Sequence, residues 1–232
     1  GGNYNVVVGD EAGTALTTGD SNVAVGFNAL KTEDGNGFNV AVGAEALETQ
    51  NAGADAYNVA VGRAAGKATT TGINNTLLGG LAGAALTDAD FNIAVGYGAL
   101  DSDTLGSRSV AIGYNSLATQ NFTTATDTYN TAVGFQAGTA VTTGVENTLI
   151  GGLAGSSLTD ADFNTSVGRL ALLTDTLGSR STALGYGTLQ AQNFTTATDS
   201  YNVAVGFSAG NALTTGLRNN LFGAFAGDSL TD

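Results

Sequence analysis

Apolar and small residues recur along this chain in a nine-residue pattern, seen cleanly as NVAVGFNAL from Asn22 to Leu30. Versions of it open at Asn5, Asn22, Asn39, Asn58, Asn75, Asn92, Ser109, Asn130, Asn147, Asn164, Ser181, Asn202 and Asn219. The fifth position is glycine in every copy, and the fourth is Val, Leu, Ile or, once, Phe222. Self-similarity at a fixed spacing marks a solenoid, in which each unit buries its apolar side only by stacking on its neighbours. Within NVAVG the second and fourth residues point one way and the third the other, the period of a strand. No stretch carries a helical period. The pattern predicts an all-β chain: a parallel β-solenoid (β-roll) of about 13 turns, mostly of 17 residues.

The same alternation predicts which side is dry. The fourth position (Val25, Val42, Val61, Leu78, Val95, Ile112, Val133, Ile150) is expected inside the coil, and the second, which admits Thr76, Thr131, Thr148 and Asn220, nearer its edge. The glycine ends the strand at a turn that wants positive φ or a close backbone approach. The third position then faces out, and it reads Ala24, Ala41, Ala60, Leu77, Ala94, Ala111, Ala132, Leu149, Ser166, Ala183, Ala204 and Leu221. A strand face in water should be polar there. Stacked at ~4.8 Å per turn, these side chains would form an apolar stripe longer than a soluble monomer usually exposes. The expectation is a homotrimer with those alanines and leucines at its interface; a monomeric coil with alanine as filler is the alternative. Asn at the first position is expected to form side-chain ladders between turns. The aromatics just before it (Tyr57, Phe91, Tyr129, Phe163, Tyr201) are expected to pack across the corner.

Spacing defines a higher-order repeat. Longer links, ETQNAGADAY, ATQNFTTATDTY and QAQNFTTATDSY, close a three-turn block over 5–57 and four-turn blocks over 58–129 and 130–201. A fourth block, 202–232, is cut short, and the whole is expected to be one continuous solenoid. In the four-turn blocks the ninth position runs Gly, Gly, Leu, Leu (Gly66, Gly83, Leu100, Leu117; Gly138, Gly155, Leu172, Leu189), so the turns are expected to differ in role.

Composition removes much chemistry. His, Cys, Met, Trp and Pro are all absent, so disulfides, the usual zinc ligands and histidine acid–base catalysis fall away. A net charge of −13 argues against nucleic acid and against anionic lipid, and suits the solubility of a long rod. No apolar run approaches the ~18 residues of a membrane span, and no signal peptide is visible. The chain opens GGNYN without methionine and stops at Asp232 inside a TDADF-like string, so it is expected to be part of something longer.

The motif NxAVGxxAG/L with a TTG link, as in NTAVGFQAGTAVTTGVENTLIGGLAG from Asn130 to Gly155, resembles repeats of phage tail fibres and related virion fibres. It is also similar to the repeats, centred on SVAIG, in the heads of trimeric autotransporter adhesins; SVAIG stands at Ser109 to Gly113. The resemblance covers nearly the whole chain and implies a left-handed parallel β-roll assembled as a trimer. No catalytic residues travel with it.

Candidate chemistry is sparse. Paired acids recur as TDAD (Asp88, Asp90; Asp160, Asp162), the next turn carrying Asp101 and Asp103 in one block and Asp175 in the other. Stacked oxygen ligands suit Ca²⁺, but the GGxGxD spacing of calcium-binding rolls is missing. Solvated loop acids, in part paired with Arg108 and Arg180, are the favoured reading, and no catalytic site or cofactor is expected. The TTG strings (Thr70–Thr71, Thr142–Thr143, Thr214–Thr215) suggest an ice-binding array, but they recur once per block rather than on every turn. The functional expectation is a structural fibre shaft of a virion, presenting a host-attachment tip and contacting other fibre subunits. A host receptor would be met through regions outside this segment. The alternatives are a bacterial trimeric surface adhesin head and a carbohydrate- or ice-binding solenoid.

Overall fold

A computed structural model describes residues 2–232 of the chain. It is an all-β parallel β-solenoid of about 13 turns, with no helix among the described residues. The chain forms two compact units: one runs to Tyr114 and takes in Asn121–Asp127, the other comprises Asn115–Gln120 and Thr128–Asp232. In the first, strands at Val6–Val8, Val23–Val25, Val40–Val42, Val59–Val61, Thr76–Leu78, Ile93–Val95 and Val110–Ile112 pair in parallel in chain order. In the second, Thr131–Val133, Thr148–Ile150, Thr165–Val167, Thr182–Leu184, Val203–Val205 and Asn220–Phe222 do the same. Register is kept motif position to motif position, Ala24 opposite Ala41 and Leu149 opposite Ser166.

The first-position asparagine fixes that register. Asn75 Oδ1 accepts the Asn92 amide at 2.9 Å, while its Nδ2 donates to the Ala89 carbonyl at 2.7 Å. Asn92, Asn147 and Asn164 do the same. Each wholly buried amide thus joins the start of the next turn to the corner of its own. A backbone polar group left unpaired in that interior would cost about 1–3 kcal/mol.

The inside and outside of the strand are the reverse of the expectation. The third position is buried: Ala24, Ala41, Ala60, Leu77, Ala94, Ala111, Ala132, Leu149, Ala183 and Ala204 are 0% exposed within the single chain. Leu221 packs against the cluster of Leu189, Ala204 and Leu213. None of the fully buried residues has surface left for a sister subunit. The second and fourth positions face outward instead, Val61, Ile93 and Ile150 being about two-fifths exposed. The reason is volume. The interior is filled from the opposite wall by leucines at the ninth and twelfth positions, such as Leu100, Leu117 and Leu158. That leaves the strand room for a methyl group.

Where the strand contributes a leucine, the opposite wall gives way. A Cβ on Gly138 or Gly155 would lie 2.7 Å from a methyl of Leu149, and one on Gly66 or Gly83 2.7–2.8 Å from Leu77. The Gly, Gly, Leu, Leu alternation therefore records which wall fills the core. Ninth-position leucines such as Leu100 (φ 55°) hold a left-handed backbone to do so, a conformation that costs roughly 1–2 kcal/mol. The fifth-position glycine meets both conditions set for it. Gly96 has φ 132°, and a Cβ there would lie 2.5 Å from the Gly113 carbonyl oxygen.

Two outcomes follow from this packing. Gly96→Ala should lose roughly 2–4 kcal/mol in a denaturant titration, whereas Gly152→Ala, with nothing within 4 Å, should stay within about 0.5 kcal/mol of the parent. Ala132→Lys should unfold its unit, seen as lost circular dichroism signal, rather than yield a folded protein altered only in assembly.

Candidate interaction surface

Turned outward, the strand positions make a β-branched surface. In the second unit it carries Thr131, Val133, Thr148, Ile150, Thr165 and Val167, each half-buried or exposed. Two exposed rows border it. One is the residue just before the asparagine, which takes left-handed φ even though it is never glycine: Phe38 (63°), Tyr57 (53°), Phe91 (59°), Arg108 (63°), Phe163 (59°) and Arg180 (62°). The other is the sixth position, just past the strand-ending glycine, with Phe27, Tyr97, Tyr114, Phe135, Tyr186 and Phe207. All 7 tyrosines of the chain fall in these two rows.

The rows are stacked ladders. Phe38 lies on Tyr57 with ring centroids 5.0 Å apart, and Tyr186 on Phe207 at 5.2 Å, both nearly parallel. Arg108 sits over Phe91 at 4.9 Å and Arg180 over Phe163 at 4.5 Å. Arg108 and Arg180 also pair with Asp127 and Asp199, each at 3.0 Å. Those ion pairs tie the long turn to the turn before it. The aromatics thus stack from turn to turn along the coil instead of packing across its corner, and they remain largely exposed. Because ring faces are spent on neighbouring turns, a sugar would meet ring edges, the poorer surface for stacking.

The candidate metal ligands are engaged in holding corners. Asp90 Oδ1 accepts the Ile73 amide and Asp162 Oδ1 the Val145 amide, both at 2.8 Å. Asp88 and Asp160 accept the hydroxyls of Thr71 and Thr143 at 2.6 Å. Among the described residues no three acidic groups converge in a way that would hold a metal ion. The threonine hydroxyls are likewise committed, Thr87 Oγ1 donating to Thr104 O and Thr159 Oγ1 to Thr176 O at 3.0 Å. No ligand-sized cavity occurs among the described residues.

Two acids expected in water are core residues. Asp103 and Asp175 are 0% exposed. Asp175 Oδ1 accepts the amides of Gly178 and Phe194 at 3.1 and 3.0 Å, and its Oδ2 accepts Gln192 Nε2 at 2.5 Å. Gln192 also reaches Ser181, and its Oε1 accepts Asn202 Nδ2. This network explains the Ser-for-Asn exchange at Ser109 and Ser181. Serine lacks the carbonyl that would receive the next amide, so Asn130 and Asn202 turn to the hydroxyls of Thr128 and Ser200, which the longer links supply. The signal was in the sequence: each serine-headed turn is the one followed by a 21-residue spacing and a glutamine.

The first block places Glu33, Asn39 and Gln50 where the block over 130–201 has Asp175, Ser181 and Gln192. Here the fit is poorer. Glu33 Oε2, Asn39 Nδ2 and Gln50 Nε2 are buried with no partner among the described residues. Burial pushes the Glu33 carboxyl above its ordinary value, opposed by hydrogen bonds from Asn36. Burial raises Asp101 as well. At the surface, Lys67 holds Glu45 below the ordinary range through their 2.9 Å contact.

Comparison with protein-family models, curated proteins and solved structures finds no match to this chain.

A carboxyl raised in the folded state binds its proton more tightly there than in the unfolded chain. Its contribution to stability is therefore gained as pH falls through the raised value and lost as pH climbs through it. Glu33→Gln should flatten the pH dependence of the melting temperature on the alkaline side of the ordinary carboxylate range; an unchanged slope would assign that dependence to another group.

Proposed function

We propose that this chain is a non-catalytic structural element, the shaft of a virion tail or head fibre. In this reading it is a left-handed β-roll assembled as a homotrimer, located on the virion outside the cell. It meets other fibre subunits and presents a host-attachment tip carried by other sequence. The observation that carries the reading is where the polar groups go. Asparagine amides, threonine hydroxyls and corner carboxylates bond turn to turn, which is what a load-carrying rod requires. The exposed β-branched surface with its aromatic borders supports assembly with further chains, since aromatics and arginine are the residues enriched where proteins meet. The SVAIG core at Ser109 to Gly113 favours a bacterial trimeric surface adhesin head as the second reading.

Native mass spectrometry of the folded chain tests the assembly. The expected mass is three chains. Paired Val133→Lys and Val205→Lys changes on the outer surface should reduce it to one chain with the β-sheet circular dichroism intact. A parent protein that stays a monomer at all concentrations would overturn the reading.

A further inference from the structure

The charges of this chain are sorted by surface. Its 7 basic residues are Lys31, Lys67 and five arginines, and every arginine stands in one of the two rows bordering the outer strand face. Arg63 and Arg169 occupy the sixth position; Arg108, Arg180 and Arg218 precede the asparagine. Of the 20 acidic residues only Asp10 and Glu146 share these rows, one in each unit. Arg108 and Arg180 are neutralised by Asp127 and Asp199, so the positive charge still open on this border is that of Arg63 in the first unit and of Arg169 and Arg218 in the second, on a chain whose net charge is −13. Both lysines are already matched, Lys31 with Glu11 and Lys67 with Glu45 and Glu48.

Three arginines are not. Arg63, Arg169 and Arg218 form no ion pair with any described residue. Arg169 lies over the Tyr186 ring at 5.8 Å, with Nη1 3.4 Å from the tyrosine hydroxyl. Uncommitted negative charge stands at the TDAD corners. Asp88 and Asp160 are exposed, and each spends one oxygen on a threonine and meets no basic group within ion-pair distance among the described residues.

We propose that the arginine–aromatic border of this face docks against the acidic corners of a second copy of the chain, so that copies join face to flank. The proposal rests on the shaft reading and names its interface. Face-to-face packing would set arginine against arginine, and corner-to-corner packing aspartate against aspartate; only the unlike surfaces attract. An interface between two different patches of identical chains is heterologous. Used in one direction only, it closes into a ring or runs on rather than pairing two copies about a two-fold axis. The β-branched strand surface supplies the apolar contact between the charged borders, and Tyr186 and its stacked neighbours supply rigid area at low entropy cost.

The test is self-association of the full chain, followed by native mass spectrometry and light scattering at low and at ~1 M salt, where the Debye length falls to ~3 Å. The triple variant Arg63→Glu, Arg169→Glu, Arg218→Glu should associate on the order of ten-fold more weakly while its thermal unfolding stays that of the parent. Asp88→Lys with Asp160→Lys should weaken association similarly. The chain carrying all five changes should recover parental association, because the attraction is restored with its sign exchanged. A combined variant no better than either parent set, an assembly indifferent to salt and to every reversal, or a two-fold dimer would each overturn the proposal while leaving a multimeric shaft in place. A monomeric parent would instead overturn the shaft reading beneath it.

Discussion

One side-chain amide holds this coil in register. In each regular turn the asparagine Oδ1 receives the first amide of the next turn, and its Nδ2 closes on the corner carbonyl of its own. A three-residue strand is too short to be stable alone, and a parallel ladder adds little per residue. The buried amide supplies what the strand lacks: a polar partner that only one stacking register satisfies. Slippage by a single residue would leave both backbone groups dry and unpaired.

The departures from the regular turn obey the same accounting. Replacing asparagine with serine at Ser109 and Ser181 removes an acceptor and a donor together. The longer links supply acceptors in their place, the hydroxyls of Thr128 and Ser200 for the next amide and the Oε1 atoms of Gln120 and Gln192 for the next asparagine's Nδ2, while Gln192 Nε2 donates to Asp175 and Ser181. Buried Asp175 then neutralises donors that would otherwise be orphaned, and in doing so anchors Phe194 over the long link. The first block, with glutamate and asparagine in these places, is the variant in which the exchange is incomplete, and its three unpartnered atoms mark the same site. Apolar volume is traded likewise, leucine on one wall against glycine on the other around Leu77 and Leu149.

A coil this narrow has a consequence for its exterior. Once two walls of leucine and alanine fill the interior, the bulky residues of the strand have nowhere to go but out. The outer face therefore carries valine, isoleucine and threonine, edged by stacked rings and guanidinium groups. That surface is where the proposed association takes place, and its unpaired arginines on an acidic chain are what give it direction.

The all-β class, the thirteen copies, the asparagine ladders and the glycine turns were legible in the sequence, because each depends on local backbone geometry repeated at fixed spacing. Gly96 could be read as a close approach without knowing that Gly113 is what it approaches. Which side of the strand is inside was not legible. Alternation separates Val23 and Val25 from Ala24, but it is symmetric between core and solvent, and size alone favoured the wrong side. The choice was made across the coil, by Leu100, Leu117 and Leu158 arriving from the opposite wall. The roles of Asp103 and Asp175 were hidden for the same reason: an acid in a loop-like string looks solvated until its turn closes over it, and only the fold supplies the amides that make it a core residue.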